Sequence, residues 1–357
     1  MKRFVFAAAT VLASAAFTLG AVELTLQIAD YPPSVFSPWI RDRDTGYRYA
    51  PSLHTRMKRP KEYDVAFETN SLGMRDDEVG PKHGPRILML GDSFASGYGI
   101  ERGEMFADIL ERNLGVEIVD AAVGGYEIIH QARWFEAHGR ELAPDLVVYV
   151  VYLGNDLSRN DEWRVDESGA LVSPEREFPV RRAYEIKLLS LYKSFRYRRK
   201  IEEEQQRGDW VPKPDYLATA ERELSDGAKK DYADVEQLLG RLRDDVRAGG
   251  AELFVVLVPY RTMVDRKERD RFSAMTTGFE ARYDLDAPAR RTGAILERLG
   301  VEYFDLSPAL RVHFEAGGDP LYFPVDGHLN ARGNALVAQA LTPVLESRVA
   351  RLGGAKN

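Results

Sequence analysis

The chain contains no cysteine, only six histidines and only four tryptophans among 357 residues. Without cysteine there can be no disulfide, no thiolate nucleophile and no thiolate metal site, a composition compatible with an oxidising compartment. Positive charge is also in deficit. Forty-nine Lys and Arg face 56 Asp and Glu, a net charge of −7, so no basic face for nucleic acid is expected. No Gly- or Pro-rich tract and no repeat marks an internal linker. No His-x-x-x-His pair or carboxylate cluster has metal-ligand spacing, and no Gly-x-x-x-x-Gly-Lys loop is present. No metal and no cofactor are therefore expected. The 44% hydrophobic content is enough for a substantial core, as one large domain or two modest ones.

One long apolar run is present. Lys2 and Arg3 precede an uncharged stretch from Phe4 to Val22, and Glu23 ends it. A basic start followed by an apolar run reads as an export signal, so residues 1–22 are expected to be a signal peptide or a signal anchor. Cleavage after Ala15 or Ala21 would release a soluble periplasmic protein. Left uncut, residues 4–22 are just long enough to span a bilayer and tie the protein to the inner membrane. The plainer alternative is a buried helix of a cytosolic protein.

Residues 23–84 are expected to be irregular, because Pro32, Pro33, Pro38, Pro51 and Pro60 limit long helices. A different rhythm begins at Arg86. Short, almost wholly apolar runs at 86–90, 116–119, 146–153, 253–258 and 301–304 read as buried strands. Amphipathic segments at 105–113, 128–141 and 332–352 read as helices. Continuous apolar strands separated by such helices imply a parallel sheet covered on both faces. The expected fold is a three-layer α/β/α, flavodoxin-like sandwich over residues 85–353. Between 157 and 231 the rhythm breaks into a charged, aromatic-bearing helical insertion, either a lid beside the site or a solvated appendage.

In doubly wound sheets the active site lies at the carboxyl ends of the strands. Four short segments stand there or just before the last helix: Gly91-Asp92-Ser93-Phe94, Gly124-Gly125-Tyr126, Gly154-Asn155-Asp156 and Asp326-Gly327-His328-Leu329-Asn330. Gly91 permits a tight exit from its strand. Ser93 then stands where a helix can begin, whose N-terminus favours developing negative charge. Glycine at 124–125 lets backbone N–H groups approach a substrate oxygen closely. Among the histidines, His54 and His83 precede the first core strand, and His130 and His138 fall within a helix. His313 lies in an acidic, Gly-rich stretch and is the main rival, while His328 has a near carboxylate and precedes the closing helix.

These four segments, in this order, resemble the four blocks of the SGNH (GDSL-type) serine hydrolases, over about residues 86–349. The resemblance implies Ser93 as nucleophile, His328 as general base and Asp326 as its orienting acid. Oxyanion donors would be the Ser93 N–H, the Gly125 N–H and the Asn155 side chain. A serine hydroxyl does need an adjacent base, and the base a carboxylate to fix its tautomer. In many members the acid stands three residues before the histidine, a place held here by Val325. Asp326 has the two-residue spacing found in some exported relatives, including polysaccharide O-acetylation proteins, and Asp319 is the fallback. The segment Thr69–Asp77 also resembles an exported bacterial subgroup. It reads as a structural hairpin ahead of the domain, with Arg75 lining the cleft as the alternative.

The expected activity is hydrolysis of a carboxylic ester through an acyl-serine, on a small-molecule, lipid or glycan ester. The alternatives are acetyl transfer to or from a cell-envelope polysaccharide, and a non-catalytic binding protein that keeps the fold.

Overall fold

The structure, a computed structural model, describes residues 2–29, 36–158, 160–173, 186–207 and 211–354. Parts of the expected insertion (159, 174–185 and 208–210) lie outside these described residues. The chain divides into two units, one of residues 1–37 and 179–209, the other of residues 38–178 and 210–357.

Among the described residues, the smaller unit contains two helices, α1 (Lys2–Ile28) and α4 (Lys187–Arg207). α1 is long and apolar enough to cross a membrane, with a mean hydropathy of 2.0 over a window of which none is buried.

The larger unit is built on a five-stranded parallel sheet of β5 (Arg86–Leu90), β6 (Glu117–Asp120), β7 (Leu146–Tyr152), β10 (Glu252–Val258) and β11 (Glu302–Asp305). The spatial order is β6-β5-β7-β10-β11, which reads 2-1-3-4-5 along the chain, the flavodoxin-like winding. All seven residues of β7 and all five of β5 are buried, as strands covered on both faces must be. The helices that cover the sheet bury one stripe each. α2 (Phe106–Leu114) buries Phe106, Ala107 and Leu110, and stops at Gly115 in the left-handed conformation. α3 (Ile128–His138) opens with a capping box between Glu127 and His130. α6 (Asp226–Ala248) is capped by the Ser225 side chain and buries Tyr232, Val235, Leu239, Leu242 and Val246. It begins inside the stretch expected to be an insertion, so the regular winding resumes earlier than the charge pattern suggests. Ahead of it lie a small hairpin, β8 (Arg164–Val165) with β9 (Leu171–Val172), and α5 (Pro214–Thr219). α7 (Arg261–Val264), α8 (Arg266–Ala274), α9 (Phe279–Arg282), α10 (Ala287–Leu299), α11 (Ser307–Glu315) and α12 (Ala331–Gly354) complete the unit.

The expectation of an irregular stretch at 23–84 is corrected by the structure. Besides the end of α1, its described residues form two antiparallel hairpins, β1 (Trp39–Asp42) with β2 (Gly46–Tyr49), and β3 (His54–Arg59) with β4 (Tyr63–Glu68). Pro38, Pro51 and Pro60 fall outside the strands, where they stop helices without preventing short ladders. Nor does Arg75 line a cleft. It is buried against Phe67 and donates to the carbonyl oxygens of Ala66, Ser96, Gly97 and Ile100. A buried guanidinium needs such acceptors, and here it ties the hairpin to the loop that follows β5.

Candidate active site

β5 ends in a turn that only glycine permits at its first position. A Cβ on Gly91 would lie 2.6 Å from the Ala95 Cβ and 3.1 Å from the Val150 Cβ. Asp92 shapes the next step, its buried carboxylate accepting from the Phe94 N–H at 2.8 Å. These two constraints leave Ser93 half-buried at the carboxyl edge of the sheet. Burial pushes the Asp92 carboxyl up to about 6, against the Phe94 N–H, the His328 ring, Asn155 and Ser93, which all favour the charged form.

The loop before α12 (Ala331–Gly354) brings His328 to this serine. Ser93 Oγ and His328 Nε2 lie 2.7 Å apart, and His328 Nδ1 is hydrogen-bonded to Asp326 Oδ1. Asp326 is held in turn by the hairpin of β3 and β4. Tyr63 Oη donates to Asp326 Oδ2 at 3.0 Å, and the Arg59 guanidinium lies 3.5 Å from the same oxygen. Glu62, paired with Arg59 at 2.7 Å, accepts from the backbone N–H groups of Val325 (2.8 Å) and Asp326 (3.3 Å). Burial pushes the Asp326 carboxyl up. The adjacent His328 and its hydrogen bond, then Arg59 and Tyr63, outweigh that, so the carboxyl stays ionised below the usual carboxylate range.

Aromatic rings fix the imidazole plane. Tyr98 lies 4.7 Å and Phe94 4.9 Å from the His328 ring centroid, and Phe94 stacks at 3.9 Å on Tyr152. Tyr63 packs against both Tyr98 and Phe323, so an aromatic wall runs from the imidazole to the hairpin.

The turn after β6 is pinned by the other hairpin. Gly124 N–H donates to Tyr49 Oη at 2.6 Å, Trp39 Nε1 donates to Gly124 O at 3.1 Å, and Tyr47 Oη donates to Gly125 O at 2.5 Å. Burial pushes the Tyr49 phenol up to about 12, so it stays neutral and can donate to Ser96 Oγ, 3.2 Å away. A Cβ on Gly124 would lie 3.7 Å from the Ser93 Cβ, which puts this turn against the serine. Gly125 has φ of 87°, in the region glycine favours. Among the described residues, the N–H groups of Ser93 and Gly125 donate to no protein acceptor. Asn155 stands beyond β7, where its amide donates to Asp156 Oδ1 at 2.8 Å.

The sequence-predicted Ser93, His328 and Asp326 thus come together, although Ser93 and His328 are 235 residues apart. The alternatives lie elsewhere. Asp319 pairs with Arg332 at 3.1 Å, and His313 Nε2 bonds the Asp319 carbonyl at 2.8 Å. Arg59, Glu62, Tyr63, Tyr47, Tyr49 and Trp39 were not anticipated. Their signal is the period-two spacing of Tyr47 and Tyr49 about Arg48, and of Val65 and Phe67 between Asp64 and Glu68, which marks strands. Among the described residues no group of acidic or histidine side chains is arranged to hold a metal ion.

Residues 211–356 match the family model of the SGNH hydrolase-like domain, acetyltransferase AlgX. No curated protein matches the chain. Several solved structures are similar at low identity. TesA is 13% identical, with a TM-score of 0.39, over 73% of this chain and 98% of that one. The acetyl xylan esterase AlAXEase is 12% identical, with a TM-score of 0.43, over 72% and 98%. The lipase/acylhydrolase from Enterococcus faecalis is 11% identical, with a TM-score of 0.42, over 74% and 96%.

Proposed function

We propose that this chain, which carries an SGNH hydrolase-like domain, is an ester-cleaving enzyme working through an acyl-serine at Ser93. The observation that carries the reading is the 2.7 Å contact between Ser93 Oγ and His328 Nε2, continued through Nδ1 to Asp326. His328 takes the Ser93 proton as Oγ attacks the ester carbonyl carbon, and Asp326 stabilises the imidazolium. The tetrahedral oxyanion is received by the N–H groups of Ser93 and Gly125 and by an N–H of the Asn155 amide. Each such donor is worth roughly 3 kcal/mol. His328 then gives its proton to the leaving alkoxide, the carbonyl–oxygen bond breaks, and Ser93 holds the acyl group. Water, deprotonated by His328, attacks the acyl-serine and releases the acid.

A second reading keeps every step but the last. A sugar hydroxyl replaces water, and the product is an acylated glycan. It is favoured by the matched family model, whose description names an acetyltransferase. For either reading we place the enzyme outside the cytoplasm, with α1 retained as a membrane anchor whose basic end, Lys2 and Arg3, stays inside.

A fluorophosphonate probe tests the nucleophile. It should label the folded protein at Ser93, and Ser93→Ala should lose both labelling and turnover while its melting temperature stays within a degree or two. Turnover surviving in Ser93→Ala would refute the site. Offering the enzyme an acetyl aryl ester with and without a glycan acceptor then separates hydrolysis from transfer by the product formed.

A further inference from the structure

We infer that the first half of α4 (Lys187–Arg207) lies in the interface of the membrane that α1 (Lys2–Ile28) spans, gripping anionic lipid headgroups through its basic side chains. The inference rests on α1 being retained as an anchor. From Phe4 to Val22 an α-helix rises about 28 Å, close to one hydrocarbon thickness, so Glu23 falls at the far interface. Glu23 is also where α4 begins. Its Oε1 accepts from the Lys187 N–H at 2.8 Å and its Oε2 from the Leu188 N–H at 2.9 Å. A carboxylate from one helix thus satisfies the orphan N–H groups of the other and faces the positive end of its dipole. The Gln27 amide, at 2.7 Å from Glu23 Oε1, holds the carboxylate in place. The first turn of α4 is thereby registered to the membrane surface.

What α4 carries beyond that turn fits a bilayer interface. Lys187 and Ser190 are buried, whereas Ile186, Leu189, Tyr192 and Phe195 are between 44% and 59% exposed. These large apolar groups sit within ten residues of the α4 N-terminus that Glu23 holds, where exposure to water is costly and acyl chains are at hand. Tyr192 and Phe195 are aromatic side chains of the kind that settle at the headgroup level. The charge agrees. Residues 187–200 contain six basic residues (Lys187, Lys193, Arg196, Arg198, Arg199 and Lys200) and no acidic one, in a chain whose net charge is −7. Arg196 lies over the Tyr192 ring at 6.0 Å, and Arg199 is 3.8 Å from Glu203, one turn on. Basic side chains beside an apolar face reach phosphates while their stems lie along the acyl boundary.

The absence of native cysteine makes the test direct. The full chain is reconstituted into phosphatidylcholine vesicles with or without phosphatidylglycerol, carrying a single fluorescent label at Ala13→Cys, Tyr192→Cys or Phe195→Cys. Lipids brominated near the headgroup or deep in the acyl chain serve as quenchers. The Ala13→Cys label should be quenched by deep bromines, and the other two by shallow ones. Exchanging Lys193, Arg196, Arg199 and Lys200 for Gln should lower shallow quenching several-fold in the anionic vesicles. Unquenched labels at 192 and 195 beside a deeply quenched one at 13 would overturn the placement of α4 while leaving the anchor intact. A label at 13 that no bromine reaches, or that is lost by proteolysis, would overturn the retained anchor and the inference with it. Equal quenching in anionic and neutral vesicles would overturn the headgroup contact.

Discussion

The hydroxyl of Tyr63 offers a sharp test of how Asp326, the acid of the proposed triad, is held. It donates at 3.0 Å to Asp326 Oδ2, on the opposite side of the carboxylate from His328. Tyr63→Phe removes one oxygen and leaves the ring against Tyr98 and Phe323. A hydrogen bond to a charged group contributes about 1.5–3 kcal/mol. Part of that loss is absorbed, because Arg59 remains 3.5 Å from the same oxygen and Glu62 still holds the backbone of Val325 and Asp326. A loss of about 1–2 kcal/mol in the transition state lowers kcat about 5–30-fold. The ceiling is the roughly 10⁴-fold loss expected when the acid loses its charge altogether. KM should barely move, since the hydroxyl is engaged with Asp326. The pH profile carries a second signature. Tyr63 helps keep Asp326 ionised below the usual range, so without it the acid-side fall in kcat should move to higher pH. Steady-state hydrolysis of an acetyl aryl ester across pH, with melting temperatures recorded alongside, measures both effects. In an Asp326→Asn background the Tyr63 substitution should add little, because its route of action is gone. An unchanged kcat in Tyr63→Phe, or an equal loss in the Asp326→Asn background, would refute this role.

Two further outcomes follow from the geometry. Gly125→Ala forces a side chain onto a residue with φ of 87°. It should destabilise the fold by about 1–2 kcal/mol, and cut kcat more than tenfold by displacing the Gly125 N–H; a variant with wild-type kcat would remove Gly125 from the proposed oxyanion donors. Asp76→Asn tests a buried carboxyl that burial pushes up to about 7 while its Oδ2 accepts from the Asp120 N–H. Its raised folded-state value means a stabilisation complete below 3.8, the ordinary value of an aspartate, and lost as pH rises through about 7. That loss is on the order of 4 kcal/mol at most. Urea unfolding at acidic and mildly alkaline pH should show Asp76→Asn losing less stability on alkalinisation than wild type. Equal losses would show that Asp76 is not the group responsible.

Much of the fold was legible because its signals are local. Five apolar runs became the five strands of the sheet within a residue or two, and glycine and charge patterns marked where chain direction changes. The positions of Ser93 and His328, which the structure brings together, stand out for the same reason, each being placed by the element beside it. The hairpins before the sheet are hard to read in the sequence because their strands are short and prolines flank them. The insertion is shorter than the charge pattern suggests, because α6 (Asp226–Ala248) is charged on its outer face and carries its apolar stripe only at every third or fourth residue.

By itself the sequence determined that the chain would wind a parallel sheet, which strand ends would carry polar chemistry, and that an apolar helix would precede them. These are properties of a few neighbouring residues, and periodicity encodes them directly. Only the tertiary structure decided that Asp326 and not Asp319 meets His328, and that a hairpin more than 250 residues away orients it. A two-residue spacing leaves the carboxylate's direction free. It is closed by Tyr63, Arg59 and Glu62, whose contacts arise only when the hairpin packs beside the last loop, a juxtaposition that no local pattern specifies.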